Sequence, residues 1–286
     1  MPMTFNQMTV PIMRGLMLGL LSLSLVGCAF DFGSFSADKS AQDIKAADAS
    51  AEVTKVLAPA GVLRVGVYPG SPTSWVKDPK TGESVGIALD LGKELAKRLN
   101  VPVQVVEFDR LAQVLDALKA GKIDFTFTNA TAIRMKDIDF TVPLVRLELG
   151  YLVVADSKLQ SVTEIDKPGM RVGVSQGSSS QGVLSQLYKQ AKVIPADSLA
   201  KAKTMLETKQ IDAFATNKGI LFEMSDTLPG SQVIVGRWGL ENLAIAIPKG
   251  RDAGREYVQN FANNVVQSGL LSKVIVRSGL RGTAKD

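Results

Sequence analysis

A short strand-like segment occurs twice in this chain of 286 residues, and the repeat is the strongest constraint on its fold. Residues 63–67 (Leu-Arg-Val-Gly-Val) resemble residues 170–174 (Met-Arg-Val-Gly-Val), and residues 123–126 (Ile-Asp-Phe-Thr) resemble residues 211–214 (Ile-Asp-Ala-Phe). Short apolar runs of this kind predict buried strands. The duplication therefore predicts an α/β protein of two similar lobes, each with a mostly parallel sheet covered by helices.

Segments with helical spacing alternate with strand-like segments around both copies of the repeat. Over residues 85–99, for example, Ile87 and Leu91 fall on one face of a predicted helix. Apolar runs over residues 149–155 and 243–247 predict two strands that cross between the lobes. The other predicted helices cover residues 111–120, 178–190, 199–209 and much of the tail after residue 252, and the other predicted strands cover 101–108 and 192–195.

Two lobes joined by two crossing strands form a hinge beside a cleft. The pattern assigns residues 58–150 to lobe 1, residues 151–241 to lobe 2, and residues 242–286 to a return into lobe 1. Small ligands bind preferentially at such interfaces between lobes, and closure around them is a hinge motion. The cleft is therefore where a functional site is expected.

The N-terminus has the features of an export signal. Arg14 is the only charged residue before Asp31, and the uncharged, Leu-rich stretch that follows it is too short for a transmembrane helix. That stretch ends in Leu-Val-Gly-Cys at residues 25–28, which is similar to a bacterial lipobox, and Cys28 is the only cysteine. We therefore expect a signal peptide over residues 1–27, a lipid anchor on Cys28 that holds the protein on the periplasmic side of a cell membrane, and a flexible tether over residues 28–57. A plain signal peptide beside an incidental cysteine is the alternative.

The composition excludes several kinds of chemistry. The chain has no histidine and one cysteine, so catalytic triads that use histidine, intrachain disulfides and the usual zinc sites are excluded. The formal net charge of +5 is not gathered into a Lys/Arg block with interleaved aromatics, so nucleic acid is not expected as a partner. We expect no cofactor and no metal, although a cation site made of carboxylates alone stays open.

Three segments carry a family resemblance. They are residues 61–90, the Thr-x-x-Arg and Asp-Phe-Thr-x-Pro motifs within residues 131–143, and Val-Gly-Val-x-Gln-Gly-Ser-Ser at residues 172–179. In order and spacing they resemble the bacterial extracellular solute-binding proteins of family 3, over roughly residues 58–273. The resemblance implies a type II periplasmic-binding fold and a monomer that delivers a small polar solute carrying a carboxylate to the permease subunits of an ABC importer.

The resemblance also implies roles for residues of lobe 1. Arg134 matches the arginine that binds the carboxylate of the ligand with two parallel N–H donors. An ion pair with Asp137 or Asp139 is the alternative for this arginine. Thr128 and Asn129 match positions that present donors to the ligand after the third strand, and ordinary capping of the strand end is the alternative.

Further implied ligand contacts come from lobe 2 and from an aromatic residue. Ser178 and Ser179 match a pair of hydroxyls at a helix start, where free backbone N–H groups and the helix dipole favour an anion. Helix capping without ligand contact is the alternative. Tyr68 and Trp75 flank the loop from which the family stacks an aromatic ring over the ligand, and we favour Trp75.

Asn217 departs from the family pattern. It stands where the amino-acid receptors of the family carry an Asp that binds the ammonium group of the ligand. Since Asn has no charge, an ordinary zwitterionic amino acid becomes doubtful and an organic acid or a neutral polar solute becomes more plausible. Lys218 strengthens this expectation if it faces the cleft, and a solvated surface lysine is the alternative.

Two other functions are compatible with the same fold. A sensory or non-transport binding lipoprotein would use the cleft without delivering its ligand to a permease. An enzyme similar to cyclohexadienyl dehydratase would need an acid or base in the cleft, for which Glu148 and Glu241 are the candidates. Neither carboxylate has a recognisable partner in the sequence, so we expect a protein that binds its solute without catalysis.

Overall fold

The structure is a computed structural model, and it describes residues 49–284. The predicted signal peptide, Cys28 and most of the predicted tether lie outside these residues. No helix in the described part of the chain is both long and apolar enough to cross a membrane.

The fold begins earlier than the sequence suggested, with helix α1 (Ala51–Leu57). The hydroxyl of Ser50 caps this helix by accepting a hydrogen bond from the backbone N–H of Val53 at 3.2 Å. Leu57 is 1% exposed and packs closely against Gly254 of a later helix, where any side chain would collide with it. The predicted tether is therefore wrong for residues 51–57, because burial of one leucine, about 2 kcal/mol, fixes this turn of helix on lobe 1.

The rest of the chain confirms the predicted alternation of strands and helices. Lobe 1 continues with β1 (Leu63–Val67), β2 (Val76–Lys77), β3 (Ser84–Val85), α2 (Ile87–Arg98), β4 (Val103–Glu107), α3 (Leu111–Lys119), β5 (Thr126–Asn129) and β6 (Ile138–Phe140). The long strand β7 (Val145–Val153) leads into lobe 2, which contains β8 (Arg171–Ser175), α4 (Ser179–Leu187), β9 (Lys192–Ala196), α5 (Leu199–Glu207), β10 (Ala213–Asn217), α6 (Lys218–Asp226) and β11 (Gln232–Val233). The second long strand, β12 (Gly239–Pro248), returns to lobe 1, where α7 (Asp252–Gln267) and α8 (Leu270–Arg277) follow.

The two long strands connect the sheets of the two lobes. In lobe 1, β1 pairs in parallel with β4 and reaches β5 through a parallel bridge between Val65 and Phe125. The larger sheet has the order β5-β12-β7-β10-β8-β9, in which β8, β9 and β10 are parallel and β7 and β12 are antiparallel to their neighbours. The predicted lobe boundaries at residues 150 and 241 fall inside β7 and β12, the strands predicted to cross between the lobes.

The sequence repeat corresponds to the same packing in both lobes. A side chain at Gly66 would lie 2.1 Å from Cδ1 of Ile123, and one at Gly173 would lie 2.3 Å from Cδ1 of Ile211. Each glycine is therefore required because the isoleucine of the second repeated segment covers the strand of the first. The repeat encodes the contact between the first strand of each lobe and the strand that lies beside it.

The C-terminal segment, residues 280–284, touches both lobes behind the cleft. Leu280 is buried in the hydrophobic core of lobe 1. The carbonyl of Gly282 accepts a hydrogen bond from the backbone N–H of Glu148 at 2.9 Å, so the segment lies along β7. Arg281 lies over the ring of Phe222 on α6 of lobe 2, 5.0 Å from its centroid, and pairs with Asp226 on the same helix.

Candidate ligand-binding site

The candidate site lies where the ends of β5 and β10 meet between the lobes. Both strands finish with the same dipeptide, Thr128-Asn129 in lobe 1 and Thr216-Asn217 in lobe 2. All four residues are buried and line one cavity. In α/β sheets, ligands bind outside the carboxyl ends of the strands, so this is the position that the fold offers for a ligand.

Backbone contacts fix the orientation of both asparagine side chains. Oδ1 of Asn129 accepts the backbone N–H of Asn242 at 2.9 Å, and Oδ1 of Asn217 accepts the backbone N–H of Ile220 at 3.1 Å, which caps α6. Because each oxygen is held as an acceptor, each amide nitrogen must point the other way as a donor. Nδ2 of Asn129 donates to Oγ of Ser179 at 3.3 Å.

These donors converge on Glu241 of β12. Nδ2 of Asn217 donates to Oε2 of Glu241 at 2.9 Å, and Oγ of Ser179 donates to Oε1 at 3.1 Å. Since Ser179 already accepts from Asn129, its own hydrogen is directed at the carboxylate. Both oxygens of Glu241 therefore accept hydrogen bonds, which is the arrangement of an ionised carboxylate.

Glu241 is a buried charge that the surrounding protein does not neutralise by an ion pair. It is 7% exposed, and burial raises the pKa of its carboxyl group. Within residues 49–284 its direct partners are the neutral side chains of Asn217 and Ser179. A buried, unpaired charge costs several kcal/mol, so a carboxylate held in this way is a candidate for binding a cation.

Arg134 lies on the lobe 1 side of the same cluster. It begins a short 3-10 helix after β5, and its Nη1 donates to Oγ1 of Thr128 at 3.2 Å and to the carbonyl of Asn129 at 3.0 Å. Burial lowers the pKa of its guanidinium group, while the nearby charge of Glu241 acts in the opposite direction. The described residues form no ion pair between Arg134 and Asp137 or Asp139, and Asp139 pairs instead with Lys249 at 3.1 Å. Two neutral oxygens thus position a charged group whose charge remains available.

The cavity between the lobes is small. Its volume open to water is about 30 Å³, which is room for roughly one or two water molecules. A side chain on Gly177 would meet Cβ of Ala112 in the opposite lobe at 2.7 Å, so the lobes are in close contact at this edge. An amino-acid-sized solute therefore needs the lobes to separate before it can enter. The lining includes Tyr68, Thr73, Arg110, Leu111, Phe127, Thr128, Asn129, Ser175, Ser178, Ser198, Leu199, Thr216, Asn217, Ile220, Glu241 and Leu243.

The structure separates the two aromatic candidates. Tyr68 lies at the end of β1 and lines the cavity, and burial raises the pKa of its hydroxyl. Trp75 is not among the residues lining this cavity; it packs against the core of lobe 1 with Nζ of Lys77 5.8 Å from its ring centroid. The preference for Trp75 is therefore not supported by its position, because its ring packs on the core of lobe 1.

The remaining candidates divide between the cavity and the hinge. Ser178 lines the cavity, and its Oγ caps α4 by accepting the backbone N–H of Gln181 at 3.1 Å. Lys218 does not line the cavity, because its Nζ pairs with Oε2 of Glu148 at 2.5 Å on the hinge strand β7. The Lys218 ion pair holds the pKa of the Glu148 carboxyl below its usual range.

Two charged residues that line the cavity, Arg110 and Glu241, were not named as ligand contacts in the sequence analysis. Arg110 precedes α3, and Glu241 was considered only as a catalytic acid or base. Arg110 could have been found from its place after β4, since it follows a parallel strand of the lobe 1 sheet just as Arg134 does. Among the residues that the structure describes, no cluster of His, Cys, Asp or Glu could hold a metal ion.

The two-lobed fold and its cleft define a periplasmic-binding protein of type II. The family model of the bacterial extracellular solute-binding proteins, family 3, matches residues 63–277, and the chain belongs to this family. The resemblance found in the sequence is thereby confirmed.

Named relatives agree with this assignment. The chain is 26% identical over 238 residues to the glutamine-binding protein of Geobacillus stearothermophilus, covering 82% of this chain and 90% of that protein. Among solved structures, a mutant of ArgBP from T. maritima shares the fold with a TM-score of 0.71 at 23% identity, covering 79% and 99% of the two chains. AncCDT-1, an ancestral amino acid-binding protein and a precursor of cyclohexadienyl dehydratase, gives a TM-score of 0.68 at 26% identity, covering 78% and 98%.

Proposed function

We propose that this protein is the substrate-binding component of an ABC importer and that its solute is an amino acid held between the lobes. The observation that carries the proposal is a pair of opposite charges: the carboxylate of Glu241 lines the cavity, and the guanidinium of Arg134 lies beside it, bound to the lining residues Thr128 and Asn129. Neither charge forms an ion pair among residues 49–284. A zwitterion carries the two complementary charges on adjacent groups.

Arg134 would bind the carboxylate of the solute. Its Nη1 is already held by Thr128 and Asn129, so the side chain is oriented before the solute arrives. A guanidinium offers parallel donors and stays charged even when burial lowers its pKa. The hydroxyl of Ser178 and the backbone N–H groups at the start of α4 would approach the same carboxylate from lobe 2, while the hydroxyl of Ser179 stays on Glu241.

Glu241 would bind the ammonium group, and this changes the expectation drawn from Asn217. The asparagine does not leave the lobe 2 side of the cavity without negative charge, because its amide orients a carboxylate that comes from β12. Asn217 would therefore act through Glu241 as a positioning residue. An amino acid then fits the site better than an organic acid or a neutral solute.

The family and the sequence of the N-terminus support proposals for the location and the partners of the protein. We infer export by the signal peptide over residues 1–27, anchoring through the lipid on Cys28, and docking of a monomer on permease subunits. A sensory role would use the same solute site. Catalysis of the dehydratase type fits less well, because Glu148 lies in the hinge and Glu241 receives two donors, which favours the carboxylate over the protonated acid that such a step requires.

Calorimetry with the purified protein tests the solute class. The twenty amino acids would be titrated first, and the best of them compared with its deaminated acid and its decarboxylated amine. We expect one L-amino acid to bind and both truncated analogues to lose at least ~2 kcal/mol, about 30-fold, because each leaves one buried charge unpaired. An organic acid that binds as tightly as the amino acid would contradict the role of Glu241.

Arg134→Ala tests the carboxylate contact. The same loss of at least ~2 kcal/mol in binding is expected, because one partner of a desolvated charge pair is removed. Arg255→Ala is the matched control, since Arg255 is an exposed arginine on α7 paired only with Asp252 among the described residues. If Arg134→Ala keeps the affinity of the wild type, Arg134 does not contact the solute.

A further inference from the structure

We propose, on the basis of the amino-acid solute inferred above, that the preferred ligand has an acidic side chain and that Arg110 binds its second carboxylate. Arg110 is half-buried at the start of α3 and lines the same cavity as Asn129 and Glu241. The proposal concerns the third charge at this site, which a simple zwitterion does not match.

The guanidinium of Arg110 has no partner in the described part of the protein. Its Nε is buried without a hydrogen bond, and no carboxylate within residues 49–284 forms an ion pair with it. Three other partly buried arginines are paired: Arg64 and Arg251 with Asp124 at 2.7 and 2.6 Å, and Arg98 with Glu94 at 2.8 Å. A buried donor left unpaired is costly, so this position demands an acceptor from elsewhere.

The charges around the cavity do not cancel. The charged residues that line the cavity are Arg110 and Glu241, and Arg134 lies beside it, hydrogen-bonded to Thr128 and Asn129 of the lining. The three charges sum to one positive charge when Glu241 is ionised. A zwitterionic ligand neutralises Arg134 and Glu241 and leaves Arg110 enclosed without a counter-charge. A ligand with one net negative charge neutralises all three, and a partly buried charge without a counter-charge is costly enough for this difference to decide the preference.

The strand order gives the separation of the strand ends that carry the two arginines. Arg110 follows β4, Tyr68 follows β1, and Arg134 follows β5, and these strands have the order β4-β1-β5 in lobe 1. Adjacent strands are about 4.8 Å apart, so the two strand ends are separated by about 10 Å. Two arginine side chains that extend from these ends toward each other can bind both carboxylates of a four- or five-carbon dicarboxylic amino acid, with Tyr68 between them.

Pairs of acids and amides of the same shape test the proposal. Calorimetry would compare glutamate with glutamine and aspartate with asparagine on the purified wild-type protein. We expect the acid of one pair to bind at least ~30-fold more tightly than its amide, which corresponds to about 2 kcal/mol. Equal binding of acid and amide, or a neutral or basic amino acid as the tightest ligand, overturns this inference and leaves the proposed function standing. Binding of no amino acid overturns both.

Arg110→Gln assigns the preference to this residue. In this variant we expect the affinity for the acid to fall to that of the amide, while the affinity for the amide changes less than about threefold. Arg255→Gln, on the surface of α7, should keep the wild-type ratio, and thermal melts of both variants show whether they fold. A wild-type ratio in folded Arg110→Gln, or an equal loss for acid and amide, removes Arg110 as the determinant of specificity.

Discussion

The two lobes start from the same pair of residues and place them in different surroundings. Arg64 pairs with Asp124 in lobe 1 at 2.7 Å, and Arg171 pairs with Asp212 in lobe 2 at 2.6 Å, at equivalent points of the sequence repeat. The side chain of Asp124 is fully buried and receives a second arginine, Arg251, whereas that of Asp212 is 33% exposed. The repeated motif therefore specifies the ion pair, while the elements packed over it determine its burial and hence its contribution to stability.

The strand ends differ in the same way. Thr-Asn ends both β5 and β10, and both asparagines direct an amide nitrogen toward the cluster of Ser179 and Glu241. After β5 the chain turns and supplies Arg134, whereas after β10 it enters α6 directly. The negative charge on the lobe 2 side comes from the returning strand β12. The site is thus symmetrical in its amides and asymmetrical in its charges.

The largest expected difference between the two lobes is the loss of stability when the aspartate of each repeat is replaced. Asp124→Asn leaves Arg64 and Arg251 beside a neutral amide, and we expect it to lower the free energy of unfolding by about 3 kcal/mol. Asp212→Asn, at a partly exposed pair, should cost about 1 kcal/mol or less. Denaturation in urea at neutral pH measures both. Equal losses would mean that Arg251 and the burial of Asp124 in lobe 1 do not add to the free energy of unfolding.

The two glutamates of the crossing strands should respond to neutralisation with opposite signs. Burial raises the pKa of Glu241, so its charge destabilises the ligand-free fold at neutral pH, and Glu241→Gln should raise the melting temperature while it weakens amino-acid binding. The Lys218 ion pair lowers the pKa of Glu148, so Glu148→Gln should lower the melting temperature slightly, which corresponds to a loss of about 1 kcal/mol in the free energy of unfolding for this partly buried pair.

The pH dependence of stability gives a second test of the Glu241→Gln and Glu148→Gln variants. The advantage of Glu241→Gln should be greatest at neutral pH and should shrink as the pH falls through the raised pKa, because the wild-type carboxyl then takes up a proton. The deficit of Glu148→Gln should persist at neutral pH and vanish as the pH falls below the ordinary glutamate pKa and through the lowered one. Melting curves from acidic to neutral pH would record this, and parallel curves for the two variants would refute the assignment of their charges.

A similarly small change is expected from loss of the capping role of Asn217. Asn217→Ala should cost about 1 kcal/mol of stability, because the backbone N–H of Ile220 loses its acceptor at the start of α6. Asn217→Ser should restore most of that stability, since a serine hydroxyl caps well, but it should still weaken binding because the donor to Glu241 is lost. If Asn217→Ser binds the amino acid as wild type does, Asn217 is a helix cap and nothing more.

Much of the fold could be predicted because burial follows the sequence pattern directly. The strands of the repeat and the helices between them have apolar residues at the correct spacing. Helix α6 was missed, since it begins with Lys218 and Gly219 immediately after a strand and has no separate capping loop. The first half of β7 was missed because Arg146 and Glu148 interrupt its apolar run.

Most positions of the candidate site were predictable from the sequence, together with the charge of Arg134, whereas the charges of Arg110 and Glu241 at the cavity were not. Thr128, Asn129, Ser178, Ser179 and Asn217 all reach one cluster, as the order of the motifs implied. The role of Glu241 depends on a hydrogen bond across 24 positions of the chain, and the exposure of Arg110 to the cavity depends on how the lobes meet. Neither feature can be predicted from the local spacing of residues, because each depends on which distant element of the chain packs beside it.

The C-terminal segment sets a boundary on how the lobes can separate. Leu280 is buried in the core of lobe 1 and also lies close to Gly219 of α6, and Arg281 pairs with Asp226 on the exposed side of that helix. Withdrawal of a buried leucine costs about 2 kcal/mol, whereas an exposed ion pair is worth about 0–1 kcal/mol and weakens further in salt. The leucine, more than the ion pair, therefore resists movement of α6 away from lobe 1, and this resistance should depend little on salt.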